Sequence, residues 1–245
     1  MTIFRDGLLT RLVDKYQINS SSAEFYLIAL GLAILVIAFS YIMGSLSSAI
    51  IVSKAMYNED IRKHGSGNAG LTNVLRTYGK AAAGLTLVGD MLKTAISVVF
   101  AAFLFGFSYR NGISMSGFCY LAGLCAVLGH VFPVFYGFKG GKGVLVTAAM
   151  ALILTPAVFG ALIFLFIIIV AITGFVSLGS IIVAGLFPFA VCLYSYFFGG
   201  GIPTLTAICT FFLGAFVIWC HRTNISRLRS GTEKKISIGK KEKKD

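Results

Sequence analysis

Charge is scarce in this chain: Asp, Glu, Lys and Arg make up 12% of its 245 residues, against 57% apolar residues, and only nine of the charges are acidic. A soluble domain carries about a quarter charged residues, so a water-soluble globule is excluded. The mean hydropathy of +0.88 fits a polytopic membrane protein. The five cysteines, at 119, 125, 192, 209 and 220, lack CxxC spacing and lie in or at the ends of apolar segments. That speaks for buried thiols and against a disulfide framework. Three histidines and a single intramembrane acid give no metal-site pattern, and no metal or cofactor is expected. No cleavage pattern of small residues follows the first residues, no linker marks a second domain, and no internal repeat supports a transporter built from inverted halves.

What the chain does have is a series of apolar runs, each near the roughly 20 residues needed to cross hydrocarbon as helix. The spans are expected at about Phe25 through Ser53, then near 81–107, 114–135, 143–158, 159–174, 180–198 and 203–220. The fold class is therefore all-α, a polytopic membrane helical bundle of about seven transmembrane helices. Nine of the 21 basic residues fall between Arg222 and Lys244, five lie in 54–80 and two in the loop 137–143. With an odd span count these segments share one side, which places the N-terminus outside and the C-terminus in the cytoplasm. Residues 3–16 set Phe4, Leu8, Leu9, Leu12, Val13 and Tyr16 at helical spacing, with Arg5, Asp6, Arg11, Asp14 and Lys15 between them. The organisation reads as an interfacial amphipathic helix over 1–23, a membrane domain over 24–233 and a basic cytoplasmic tail over 234–245.

Chemistry is concentrated in the charged interruptions. Gly137-Phe138-Lys139-Gly140-Gly141-Lys142-Gly143 places two lysines among four glycines beside long apolar runs. Glycines let amide N–H groups approach an anion and lysines add charge, which suggests a phosphate site. It is not a Walker A loop, because Gly143 stands where Ser or Thr should follow the lysine. The plainer reading is a basic cytoplasmic turn that only orients the protein. Residues 61–76 bring three glycines together with Ser66, Asn68, Thr72, Asn73 and Arg76. If 70–78 is helical, Thr72, Asn73 and Arg76 share a face, and the arginine supplies a bidentate fork for phosphate. A flexible loop with a capped helix start explains the same residues without chemistry. Asp90 and Lys93, at i, i+3 inside the second span, are either a structural pair or a substrate contact. His130 reads as a hydrogen-bonding anchor. Ser177 and Ser180 stand where a helix should begin, one suited to capping and the other to a polar cavity. His221 and Asn224 share a face if the last helix continues past the span.

Ser66-Gly67-Asn68 with Thr72-Asn73 and Arg76, Gly129 to Pro133, Phe138 to Gly143, Ser177 to Ser180, and His221 to Ile225 with Arg227-Leu228 occur in the order seen in one family. Over about residues 30–233 the chain resembles the bacterial acyl-phosphate:glycerol-3-phosphate acyltransferases (PlsY type). The resemblance implies a seven-helix enzyme of the bacterial cytoplasmic membrane with its site facing the cytoplasm. It implies transfer of a fatty acyl group from acyl phosphate to the 1-hydroxyl of sn-glycerol 3-phosphate, the first step of phospholipid synthesis. The substrates are then its small-molecule partners and membrane lipid its surroundings, with no role for nucleic acid. By motif position the resemblance implies a catalytic set of Ser66, Lys142, His221 and Asn224, and substrate contacts from Gly67, Asn68, Thr72, Asn73, Arg76, Gly140, Gly141 and Ser180. Two departures from the family pattern are Leu71 and the Val144-Leu145 continuation of the loop, neither of which removes a polar site residue.

The residues themselves are compatible with this reading. A lipid substrate and a soluble one, both carrying phosphate, call for cationic and glycine-rich loops at a membrane face. No His is followed four residues later by an Asp, so the base of other glycerolipid acyltransferases is missing. The alternatives are a multispan organic-anion or phosphate transporter, which would spread ligand groups near the bilayer midplane, and a lipid-binding subunit, which would not need Ser66, Lys142 and His221 together.

Overall fold

A computed structural model describes residues 2–107, 109–110 and 113–236. Eleven helices carry the described chain: α1 Thr2–Lys15, α2 Ala23–Ser45, α3 Ser48–Tyr57, α4 Leu71–Tyr78, α5 Lys80–Phe105, α6 Ser116–Val131, α7 Val144–Leu154, α8 Pro156–Thr173, α9 Val176–Phe198, α10 Thr204–Cys220 and α11 Arg222–Arg229. Single 3-10 turns at Ile61–Lys63 and Val134–Tyr136 and a minimal antiparallel ladder, β1 Tyr109–Arg110 with β2 Ile113–Ser114, complete it. Residues 237–245, most of the expected basic tail, lie outside the described residues.

Five stretches are long and apolar enough to cross a membrane, and the bent pair α10 and α11 makes a sixth. The chain is thus a helical, multi-pass membrane protein. The run read as one first span contains a break: α2 ends at Ser45, and Leu46 and Ser47 are extended before α3 begins. A continuous helix from Ala23 to Tyr57 would be roughly 52 Å long, well beyond a hydrocarbon core of roughly 30 Å. The break does not turn the chain by more than 40°, and α3 carries the span on toward the polar segment. The fourth and fifth runs divide at Thr155, beside Pro156, because Pro156 occupies the first position of α8 and biases the residue before it away from helix. That leaves α7 eleven residues, about 16 Å, too short to cross alone.

Close approach of α2 and α6 depends on small residues. A Cβ on Gly44 would lie 2.2 Å from the Ala126 carbonyl oxygen, and one on Gly129 would lie 2.2 Å from that of Tyr41. Small residues of this kind let helices associate in lipid, where burial of apolar surface gives no drive. The first helix docks against the bundle: Leu9 and Val13 are buried, and Gly7, at φ +61°, sits where a Cβ would strike the backbone of Phe105. The side chains of Phe4 and Arg5 lie outside the description. A second, smaller apolar cluster of Ile50, Ile61, Ala69, Val74 and Ala82 anchors the polar segment that follows α3.

Candidate active site

The segment between α3 and α4 is organised around one buried side chain, Asn73. Its Oδ1 accepts the Ser66 N–H at 2.9 Å, and its Nδ2 reaches the carbonyls of His64 at 3.0 Å, Asn68 at 3.1 Å and Ile61 at 3.3 Å. Asn73 therefore shapes the loop that presents Ser66, and its polar atoms are engaged there. Arg76 and Thr72 remain exposed on α4, one turn apart. The helix expected over 70–78 is present as Leu71–Tyr78.

The glycine-rich loop is held from both sides. Arg62, ion-paired with Asp60 at 2.7 Å, donates to the carbonyls of Tyr136 at 2.6 Å and Lys139 at 3.2 Å. On the other side Gly140 N–H donates to Val131 O and Gly141 N–H to His130 O. These amides, expected to face a phosphate, are engaged by backbone. The glycines serve close packing instead: a Cβ on Gly140 or Gly141 would come within 2.0 Å of His130. Gly67 N–H is likewise taken by His64 O. What the loop delivers is Lys142, half-buried, whose ammonium donates to Asn224 Oδ1.

The chain then turns at His221, where α11 leaves α10 at 53°. His221 and Asn224 consequently do not lie on one continuous helix as expected, yet both are buried beside Lys142. His221 Nδ1 lies 2.7 Å from Val217 O, and because a carbonyl only accepts, Nδ1 carries the proton and Nε2 is left as an acceptor. Asn224 Nδ2 donates to Glu233 Oε1 at 2.6 Å, Ser177 Oγ donates to the same oxygen at 2.6 Å, and Arg227 Nε meets Oε2 at 2.6 Å. Burial raises the Glu233 carboxyl, but these three hydrogen bonds outweigh it and hold the group below its ordinary 4.5. Burial foremost, then the charge of Arg227, lowers Lys142 from its ordinary 10.5, and Glu233 opposes that shift.

Neither serine at the start of α9 caps the helix, since Phe175 occupies that position. Ser180 donates to Val176 O at 2.9 Å, which leaves its lone pairs free to accept, and Ser177 holds Glu233. Glu233 is the residue sequence reasoning missed. The segment that bears it crosses to the α8–α9 turn, where Ile236 N–H donates to Gly174 O at 2.8 Å. Its signal was available: no acid lies between Asp90 and Glu233, so a lone carboxylate among Arg227, Arg229, Lys234 and Lys235 asks for a partner.

Ser66, Asn68, Thr72, Asn73, Arg76, Lys142, Ser180, His221 and Asn224 all line one cavity of about 700 Å³. Gly67, Gly140 and Gly141 do not. From this polar end the cavity continues between α7, α8 and α9 along Ala148, Phe159, Leu162, Phe166, Val183 and Phe187. Cationic groups at one end and a continuous apolar wall at the other fit a molecule with a phosphate and a hydrocarbon chain.

Comparison with known proteins agrees with this chemistry. Residues 34–231 match the family described as Glycerol-3-phosphate acyltransferase. A glycerol-3-phosphate acyltransferase of Clostridioides difficile is 41% identical over 203 residues, covering 83% of this chain and 95% of the relative. One from Alkaliphilus metalliredigens is 42% identical over 205 residues, with coverage of 83% and 95%. The crystal structure of PlsY, an integral membrane glycerol 3-phosphate acyltransferase, in its glycerol 3-phosphate form superposes with a TM-score of 0.72 at 32% identity, covering 84% of this chain and 96% of that one. Its lysophosphatidic acid form gives 0.70 at 31% identity, covering 84% and 95%. With the family match over most of its length and relatives above 40% identity, this chain belongs to the glycerol-3-phosphate acyltransferases.

Proposed function

We propose that this protein transfers a fatty acyl group from acyl phosphate to the 1-hydroxyl of sn-glycerol 3-phosphate, releasing lysophosphatidic acid and phosphate. The observation that carries the reading is the single cavity in which Lys142, Arg76 and Asn224 open directly onto an apolar channel. The family names glycerol 3-phosphate as acceptor, and the related structures were determined with glycerol 3-phosphate and with lysophosphatidic acid. A transporter with Asp90 and Lys93 as midplane ligands is set aside, since the two ion-pair with each other at 2.8 Å. Purified protein given acyl phosphate and labelled glycerol 3-phosphate in detergent should form labelled lysophosphatidic acid; no turnover in folded protein would sink the reading.

Acyl phosphate is a mixed anhydride with a good leaving group, so no side-chain nucleophile is needed. The 1-hydroxyl oxygen attacks the acyl carbonyl carbon, the bond from that carbon to the phosphate oxygen breaks, and the hydroxyl proton passes to a phosphate oxygen of glycerol 3-phosphate. Lys142 stabilises the charge that develops on the oxyanion and the leaving phosphate. His221 Nε2 accepts from the acceptor hydroxyl and orients it, with Asn224 and Ser180 completing the polar wall. Ser66 and Arg76 bind phosphate oxygens, Asn68 and Thr72 line the same wall, and Asn73 holds the loop that places Ser66. An acyl group trapped on Ser66 during turnover would contradict this scheme. So would equal rates with acyl-CoA in a preparation free of phosphotransacylase, because no nucleotide-recognition motif is present.

The topology that suits this chemistry has seven passes, the short α7 counted as one arm of a hairpin with α8, the N-terminus outside and the site facing the cytoplasm of a bacterial membrane. The α7 and α8 pair supports it: Lys142 before α7 and Gly174 after α8 both neighbour the segment 233–236, as the two ends of a hairpin should. Basic residues in 54–80, 137–143 and beyond His221 favour the cytoplasmic side. Cysteine labelling in intact cells that reaches any of these segments from outside would break the arrangement.

A further inference from the structure

His130 is nine-tenths buried, lines the cavity, and has no assigned part in the reaction described above. Its surroundings fix its proton. Lys93 Nζ lies 2.8 Å from Asp90 Oδ1, 3.1 Å from Gly44 O, 3.0 Å from Leu46 O and 3.0 Å from His130 Nδ1. The hydrogen bonds run to the two carbonyls and to Nδ1, which uses the three N–H donors of an ammonium held by the Asp90 charge, so Nδ1 can only receive. An imidazolium would set a second N–H against Nζ. The ring is therefore neutral with its proton on Nε2. No partner for Nε2 is present among the described residues, and the atom is not sealed from solvent. Glycine at 141 keeps its surroundings clear, since a Cβ there would come within 2.0 Å of Nε2 and 2.9 Å of Ala69 O.

We propose that His130 is a further hydrogen-bond donor of the acyl-transfer site, presenting Nε2–H to a substrate phosphate oxygen beside Lys142, with Lys93 as the positioning residue that selects its tautomer. The inference rests on the acyl-transfer reading of the cavity. Placement supports it: His130 O receives the Gly141 N–H, so the ring and the lysine that follows Gly141 are fixed to one another through a single backbone contact. A buried neutral donor of this kind is worth more than in water and needs no reorganisation when charge develops.

Two amide substitutions separate donation from structure. In His130→Asn the short amide oxygen replaces Nδ1, keeping the Lys93 contact and losing the cavity donor. In His130→Gln the longer amide nitrogen replaces Nε2, keeping the donor and losing the contact. We expect His130→Asn to lose about 10- to 100-fold in kcat/KM and His130→Gln to stay within about fivefold of wild type, with thermal unfolding used to confirm folding of each. A purely structural histidine predicts the reverse order, and wild-type rate in His130→Asn with impairment in His130→Gln would overturn the proposal. Calorimetric titration with inorganic phosphate reads the donor without turnover: binding should weaken in His130→Asn. Phosphate binding weakened in a protein with no acyl transfer would keep the donor and remove the reaction; unchanged binding and rate would do the opposite. Whichever substrate KM rises, that of acyl phosphate or that of glycerol 3-phosphate, identifies whose phosphate is held. Should the variants not fold, 15N-histidine spectra of wild type, which has three histidines, should show one Nε2–H tautomer whose shift moves on adding phosphate and persists in His64→Gln and in His221→Gln. Absence of that response counts against the donor.

Discussion

Two lysines in this molecule illustrate opposite solutions to a cation near hydrocarbon. Lys93, fully inside the bundle, is surrounded by acceptors that all belong to the fold: a carboxylate, an imidazole and the two carbonyls left open where α2 breaks. Lys142, at the cavity, has one amide oxygen from Asn224 and, behind it, a carboxylate already held by Ser177, Asn224 and Arg227. The first cation is saturated and joins elements together. The second retains capacity for an incoming anion, and on that difference, more than on the presence of charge, the proposed catalytic role of Lys142 rests.

The largest effect should follow from breaking the saturated cluster. Lys93→Met leaves Asp90 charged, buried and unpartnered, and removes the donor to Gly44 and Leu46. We expect about 3–5 kcal/mol of destabilisation, read as a fall in the unfolding midpoint in detergent together with lower yield. Adding Asp90→Leu should recover much of it, because the double variant no longer buries a lone charge. A stable single variant would show that the pair contributes nothing to the fold.

Lys142→Ala should reverse the pattern, with stability kept and catalysis lost. Removal of a charge-assisted contact in a partly desolvated site corresponds to on the order of 3 kcal/mol, or about 10²-fold in kcat. Lys142→Arg should rescue poorly, since a planar guanidinium does not fit the space of an ammonium against Asn224. Near-wild-type turnover in Lys142→Ala would return the loop to a mere orienting turn.

The comparison can be sharpened with pH. Lys142 must be protonated to act; burial, and after it Arg227, depresses its affinity for the proton, so activity should be lost as pH rises through a value below 10.5. Glu233 holds the proton on. In Glu233→Gln the alkaline limb of kcat should therefore move to lower pH, and in active Lys142→Arg protein it should vanish. An alkaline limb that stays in place in Glu233→Gln would detach the carboxylate from the lysine.

The spans were legible because hydropathy over twenty residues is a strong signal, and so were the polar segments that gather at the cavity. The breaks were not. Leu46 and Ser47 carry no punctuation that marks them, and the interruption there depends on Lys93, which is 47 residues away from Leu46 in the chain. The glycines of 137–143 suit either a phosphate cradle or an orienting turn, but the amides of Gly140 and Gly141 go to α6, a pairing visible only once α6 is in place. His221 and Asn224 were rightly set together for a geometry that does not exist, since a bend and not a continuous helix unites them. Short-range spacing and motif order therefore drew notice to these residues, and long-range contacts show how each is held.

The smallest effect belongs to Lys139, and it tests whether placement or charge makes Lys142 special. The two lysines lie three residues apart in one loop, so a field acting on the anionic substrates from a distance would use both. The structure treats them differently. Lys139 is exposed, and what the fold holds is its carbonyl, through Arg62, so Lys139→Ala leaves every backbone contact of the loop unchanged. An exposed cation at this surface is screened by salt within about 8–10 Å, and surface substitutions of this kind fall within about 0.5 kcal/mol. Turnover within about twofold of wild type is expected, with a slightly stronger salt dependence of KM in wild type than in the variant. A loss approaching that of Lys142→Ala would mean that the summed charge of the loop, and not the contact with Asn224, draws the phosphate in.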